Sequence, residues 1–152
     1  MAQFNIVLVH PEIPQNTGNI GRLCVSTDSR LHLVKPLGFS LEDKYLKRSG
    51  MDYWPHLDLH VYETWEAFLT VNTPETLFFL STRGRRSFWD CRYPDGCYLV
   101  FGNEGHGLPP EFYERYQHSL LTIPMRGQFH RSFNLANSVA ITLFEALRQQ
   151  EG

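Results

Sequence analysis

Short unbroken apolar runs alternate along the chain with stretches whose apolar residues recur every three or four positions. Asn5-Ile6-Val7-Leu8-Val9 is β-branched and almost wholly apolar, which predicts a buried strand. From Thr17 to Thr27 the residues Ile20, Leu23 and Cys24 share one face, which predicts a helix. Leu31 to Val34 predicts a second strand, stopped by Lys35-Pro36-Leu37-Gly38. Ser40 is placed to cap a short helix through Arg48, with Glu42 and Asp43 in the first turn, where the helix dipole favours them. Leu57 to Tyr62 alternates and predicts a third strand; Thr64 then caps a helix that turns Trp65, Phe68 and Leu69 inward. Thr76 to Ser81, Cys97 to Phe101 and Leu120 to Ile123 predict three more strands. Pro109 and Pro110 open a helix through Gln117, as proline in a first helical turn allows. The clearest helix runs from Asn134 to Gln149, with Leu135, Ala136, Val139, Ala140, Leu143, Phe144 and Leu147 on one broad apolar face. Strand and helix in alternation predict one α/β domain over residues 1–152, a mostly parallel sheet flanked by helices.

Composition narrows the class. With 42% hydrophobic and 20% charged residues in 152, the chain reads as a globular domain, not a disordered tail or a disulfide scaffold. A net charge of -2 excludes a uniformly basic nucleic-acid coat but leaves room for a local basic patch. No apolar run approaches the ~20 residues of a membrane span, and Met1 to Val9 lacks the features of a signal peptide. Cys24, Cys91 and Cys97, with no C-x-x-C pair, predict reduced thiols in a cytoplasmic protein.

In open parallel sheets, ligands bind beyond the carboxyl ends of the strands. Three loops there carry candidate chemistry. The first, His10 to Arg22, runs from a strand into a helix; its amides could hold an anion, Gly18 and Gly21 permit close approach, and Arg22 lies about one turn inside. The second, Phe101-Gly102-Asn103-Glu104-Gly105-His106-Gly107-Leu108, is glycine-rich and able to wrap a ligand, with Glu104 available to a cation or a ribose. The third runs from Ile123-Pro124-Met125 through Arg126, His130 and Arg131 to Ser132-Phe133-Asn134, where backbone groups near Ile123 could bracket an adenine and Ser132 or Asn134 could cap the last helix. A fourth feature, Arg83-Gly84-Arg85-Arg86 followed by Phe88 and Trp89, joins guanidinium groups suited to phosphate with rings suited to stacking. Lys44, Lys47 and Arg48 form a second basic cluster. His56 and His60 have a metal-like spacing but no third ligand nearby, so a structural pair is the expectation. Motifs of P-loop enzymes, zinc proteases and serine hydrolases do not occur.

Together the three loops resemble the three motifs of the SPOUT class of RNA methyltransferases. IVLVHPEIPQNTGNIGRLC resembles motif one, LVFGNEGHGLP motif two, and IPM with RSFNLANSVAITLFEALRQ motif three, and the likeness continues through RLHLVKPLGF and LKRSGMDY. The closest group is the minimal, single-domain TrmL-like type, which methylates the ribose 2′-oxygen of the tRNA wobble nucleotide, cytidine or uridine. The resemblance implies an α/β sheet with a C-terminal trefoil knot, a topology that general rules of chain connection would not suggest. It implies bound S-adenosylmethionine, released as S-adenosylhomocysteine, with no metal, held by Leu80, Gly102, Ile123 and Ser132, with Glu104 and Leu135 close by. It implies a homodimer with tRNA across both subunits. Arg22 becomes the leading catalytic candidate, as an electrostatic and positioning group, since guanidinium rarely gives up its proton. Arg131 would hold RNA or assist, and Asn134 and Asn16 would hold the site's geometry, Asn16 with RNA contact as well. Arg83, Arg85, Arg86, Arg126 and His130 are the expected RNA contacts. The chain departs from the family pattern at Phe144, commonly tyrosine, at Asn103 and Gly105-His106 in motif two, and at Phe133 and Ala136 in motif three. The alternatives are another tRNA or ribosomal RNA ribose as target, or a non-catalytic RNA- or S-adenosylmethionine-binding module.

Overall fold

The computed structural model describes residues 2–128 and 132–151. Seven strands form one sheet: β1 (Asn5–Val9), β2 (Arg30–Val34), β3 (Leu59–Tyr62), β4 (Leu77–Leu80), β5 (Arg86–Ser87), β6 (Tyr98–Phe101) and β7 (Leu120–Thr122). Their order is β3-β2-β1-β6-β4-β7-β5, and every neighbouring pair is parallel. The helices are α1 (Pro14–Ser26), α2 (Lys44–Gly50), α3 (Trp65–Asn72), α4 (Phe112–Arg115) and α5 (Leu135–Glu151). The predicted α/β domain is therefore present, with a sheet covered on both faces.

β1 shows why its sequence reads as one apolar run. All five residues are buried, Ile6 and Leu8 in the core under α1 and α5, Val7 and Val9 in the core under α3 and α4. Ile20 and Cys24 of α1 join Leu135, Val139, Leu143 and Ala146 of α5 on the first side. Trp65 and Phe68 of α3 join Phe112 of α4 on the second. All three cysteines are buried and unpaired, and burial pushes the thiols of Cys24 and Cys97 up to about 12.

Several boundaries differ from the sequence expectation, each for a local reason. α1 begins at Pro14, three residues before Thr17, because proline needs no hydrogen-bond acceptor in the first turn. The helix expected from Ser40 begins only at Lys44. Ser40 Oγ accepts from Glu42 N in a turn, and Asp43 Oδ1 accepts from Tyr45 N at 2.7 Å and Leu46 N at 3.3 Å, so Asp43 is the cap. The third strand is trimmed to Leu59–Tyr62, preceded by a 3-10 helix over Met51–His56. The helix opened by Pro109 and Pro110 shortens to α4, followed by a second 3-10 turn at Gln117–Ser119. β5 was not foreseen, because two polar residues carry no alternation. Thr64 does cap α3, accepting from Ala67 N at 3.0 Å.

β7 inserts between β4 and β5, which are successive in sequence. The link from β4 to β5 therefore has to pass over the chain at β7. Gly84 makes that crossing possible, since a Cβ there would lie 2.6 Å from the Leu121 carbonyl oxygen.

Candidate active site

The carboxyl ends of β4, β6 and β7 open onto a cleft of about 560 Å³, in the usual range for a small-molecule site. Leu80 and Ser81 leave β4, Gly102 to Leu108 leave β6, and Thr122, Ile123 and Met125 leave β7. Ser132, Phe133, Asn134, Leu135 and Ser138 bring in the start of α5, and Ile13 and Asn16 the start of α1. Every residue the family resemblance assigned to the cofactor lines this one cleft: Leu80, Gly102, Glu104, Ile123, Ser132 and Leu135.

The glycine-rich loop is stitched to itself. Asn103 N donates to Gly107 O at 2.8 Å, and Gly107 N returns to Asn103 O at 2.9 Å. Asn103 Oδ1 accepts from Gly105 N and His106 N, while Nδ2 donates to His10 O at 2.8 Å. A Cβ at Gly102 would run into the Gly107 carbonyl, so this turn requires glycine. The asparagine that departs from the family pattern is thus the residue that shapes the loop.

Glu104 ties this loop to the first. Its Oε1 accepts from Glu12 N and its Oε2 from Ile13 N, both at 2.8 Å, and Asn16 Nδ2 lies 3.3 Å from Oε2. The amides expected to hold an external anion at the start of α1 hold the protein's own carboxylate instead. Glu104 therefore lines the cleft as a clamp between its walls. Asn16 Oδ1 in turn accepts from Asn134 Nδ2 at 3.1 Å, and Asn134 Oδ1 caps α5 by accepting from Asn137 N at 3.2 Å. Asn16 is 7% exposed, and its side chain carries the chain of bonds from motif two to motif three.

Arg83 stands on the rim. Its backbone N donates to Ser81 Oγ, and its guanidinium lies 4.3 Å from the centre of the Tyr113 ring. Arg85 and Arg86 are exposed beyond it, Arg86 donating to Asp90 O at 2.9 Å, and Arg126 is also exposed. None of these three lines the cleft. His130 and Arg131 lie outside the described residues.

Arg22 is not in the cleft wall of its own chain. It projects from α1 with its guanidinium 5.5 Å from the centre of the Tyr53 ring. Gly21 makes room for the Trp54 ring rather than for a ligand, a Cβ there meeting that ring at 2.8 Å. In the second basic cluster, Lys47 is paired with Glu42 at 2.7 Å, while Lys44 and Arg48 sit over Tyr45. His60 bonds Asp58 at 2.7 Å and stacks on His32, so its histidine partner is His32 and not the His56 of the expected pair. Burial lowers the pKa of His10, at the end of β1, an effect Glu111 partly opposes.

Sequence reasoning missed Tyr113 and Thr82 as lining residues, while Phe133 and Ser138 lay within the motif-three stretch without being given a role. Tyr113 carries no local signal, since its place depends on how α4 folds back over the loop. The Asn103 latch was more accessible: asparagine two residues before glycine is a turn signature.

A family model described as SpoU rRNA Methylase family matches residues 3–144. A Burkholderia cenocepacia protein named tRNA (cytidine(34)-2′-O)-methyltransferase is 46% identical over 149 residues, covering 96% of this chain and 95% of its own. A solved structure described as giving insight into 2-OH methylation of C/U34 on tRNA superposes with a TM-score of 0.93 at 43% identity, covering 99% of this chain and 98% of that one. An AdoMet-bound rRNA methyltransferase from Sinorhizobium meliloti superposes at 0.85 with 25% identity, covering 96% of this chain and 56% of its own.

Proposed function

This chain belongs to the SpoU rRNA methylase family, and we propose that it is an S-adenosylmethionine-dependent tRNA 2′-O-methyltransferase acting on the ribose of the wobble nucleotide. The observation that carries this reading is the single cleft lined by Leu80, Gly102, Glu104, Ile123, Ser132 and Leu135. Its size, its mixed lining and its backbone-rich turns suit an adenosine attached to an amino acid. A bound S-adenosylmethionine would supply a methyl group already made electrophilic by its sulfonium.

The chain's own residues have the remaining tasks. Leu80, Ile123 and Leu135 would offer apolar surface to the adenine, and the turn at Gly102 would let backbone groups approach it closely. The bonds linking Glu104, Asn16 and Asn134 tie the two walls of the cleft together and would keep a bound methyl donor and an incoming ribose in position. The 2′-hydroxyl is a weak acid, and a guanidinium beside it stabilises the developing oxyanion. Arg22 is suited to this task but sits outside its own chain's cleft, which favours a homodimer in which a second copy completes the site. Exposed apolar residues support that assembly: Ile141 at 38% and Phe144 at 54% on the outer side of α5. Arg83, Arg85, Arg86 and Arg126 are suited to phosphates, with Arg131 and His130 in the same role. The passage of β7 between β4 and β5, under the link at Gly84, supports the C-terminal trefoil knot. The buried free thiols suit the cytoplasm, where tRNA is modified.

The test is methyl transfer from labelled S-adenosylmethionine to bulk tRNA lacking ribose methylation, followed by digestion. Label in a 2′-O-methyl nucleoside at the first anticodon position supports the reading. Label in ribosomal RNA alone, or cofactor binding without any transfer, overturns it in favour of another target or a non-catalytic module.

A further inference from the structure

The segment that leaves the cleft at Arg83 ends on an unusual side chain. Trp89 is 59% exposed, the most exposed aromatic residue among those described, yet everything around it is fixed. Its backbone N donates to Ser87 Oγ at 3.1 Å, Tyr93 Oη donates to Phe88 O at 2.6 Å, and Arg86 holds Asp90 O. Phe88 and Tyr93 are buried in the core. From α5, Gln149 bonds Cys91 O and Tyr93 N, and Gln150 bonds Tyr93 O, all at 2.9 to 3.0 Å. The turn thus presents a largely exposed indole to solvent, with the Phe88 ring tilted by 30° beside it at 5.7 Å between centroids.

The charge around the ring is lopsided. Arg83, Arg85, Arg86 and Arg92 are all exposed and within six residues of Trp89, against Asp90 and Asp95 in the same span, in a chain of net charge -2. Arginines close in sequence to an exposed flat ring match a nucleotide, whose phosphate and base need those two contacts together. Six extended residues span at most ~20 Å, so the ring lies within that distance of the cleft's rim.

We propose that Trp89 is a stacking platform for an unpaired base of the substrate RNA, flanking the nucleotide whose ribose enters the cleft, with Arg85 and Arg86 on the adjoining phosphates. The proposal rests on the RNA-methylation reading and adds to it a residue that determines RNA affinity. Stacking accepts any base, so Trp89 selects for an exposed single-stranded loop rather than for a sequence.

The experiment compares wild type, Trp89→Ala and Trp89→Phe with an anticodon stem-loop RNA. Removal of one stacked base contact raises KM for RNA ~10-fold in Trp89→Ala, with kcat and S-adenosylhomocysteine affinity unchanged. Trp89→Phe keeps most of the affinity, because a ring remains. RNA titration quenches tryptophan emission in wild type, and the quench is reduced in Trp89→Phe, which retains Trp54 and Trp65. Arg85→Ala lowers the salt dependence of binding, whereas Trp89→Ala leaves it unchanged. An unaltered KM in Trp89→Ala overturns the proposal. So does an equal loss in both Trp89 variants, a fall in cofactor affinity, or conversion of a dimer to a monomer, the last identifying the surface as a contact between copies. RNA-dependent quenching without methyl transfer to any RNA would uphold the platform and defeat the enzymatic reading.

Discussion

Removing the Glu104 carboxylate tests how the cleft is held open. In Glu104→Ala, the amides of Glu12 and Ile13 lose the acceptors they reach at 2.8 Å. Hydrogen bonds to a charged group contribute ~1.5–3 kcal/mol each when buried. Glu104 is half-buried and water can replace part of each bond, which leaves about 1 kcal/mol per bond and about 2 kcal/mol in all. At ~2.1 cal/mol/K per residue, unfolding 152 residues carries an entropy of ~0.3 kcal/mol/K, so Tm falls by about 6 °C. Glu104→Gln keeps one acceptor but turns an amide toward the second N–H, and its Tm falls between the two. Thermal unfolding by circular dichroism reads the loss, and calorimetric titration with S-adenosylhomocysteine reads its consequence, a weaker affinity as the walls separate. A Tm for Glu104→Ala within about 1 °C of wild type would refute the clamp.

Three further outcomes are expected. Gly102→Ala drives a methyl group into the Gly107 backbone, where no flexible side chain can yield; overpacking of this kind costs ~1–3 kcal/mol, and cofactor binding is lost in a titration along with a lower Tm. Arg22→Ala abolishes methyl transfer while leaving S-adenosylhomocysteine affinity nearly unchanged, because Arg22 is outside the cleft wall; measurable turnover in the variant would exclude its role. His32 is buried between Asn5 Oδ1 and Tyr62 Oη, against His60, Phe68 and Tyr98, and burial foremost, then the charges of His60 and Arg30, lowers its pKa to about 3 against the opposing pull of Asp58. The unfolded chain binds that proton near pH 6.5 and the folded chain does not, so stability falls as pH drops from 6.5 toward 3, by about 2 kcal/mol at pH 5. Urea midpoints at pH 7 and pH 5 show this, and His32→Gln removes that share of the dependence.

The sheet was legible because burial on both faces leaves a plain mark. β1, β2, β4 and β6 came from apolar runs and β3 from the alternating stretch Leu57–Tyr62, and β1 was placed to the residue. Elements set by tertiary context were not legible. β5 exists because β7 passes beside Arg86 and Ser87, and the two residues themselves show no preference. α2 starts late because Asp43, not Ser40, accepts from the amides of Tyr45 and Leu46 in its first turn. The site was readable as three loops at the carboxyl ends of strands, and the family likeness selected six lining residues that the fold gathers into one cleft. The bonding inside that cleft was not readable. Whether Glu104 faces a ligand or the amides of Glu12 and Ile13 depends on residues about 90 positions apart in sequence. Tyr113 likewise gains meaning only from what surrounds it in space, whereas Trp89 was already marked by the arginines beside it in sequence.

The most direct measurement of the central claim uses two anticodon stem-loop RNAs that differ by one oxygen. One carries ribose at the wobble nucleotide and the other 2′-deoxyribose, and each is incubated with the protein and S-adenosylmethionine and read by mass spectrometry. A gain of one methyl group on the ribose substrate, with none on the deoxy substrate, is the predicted result. Methylation of both would place the chemistry on a base or another nucleotide, and contradict the account.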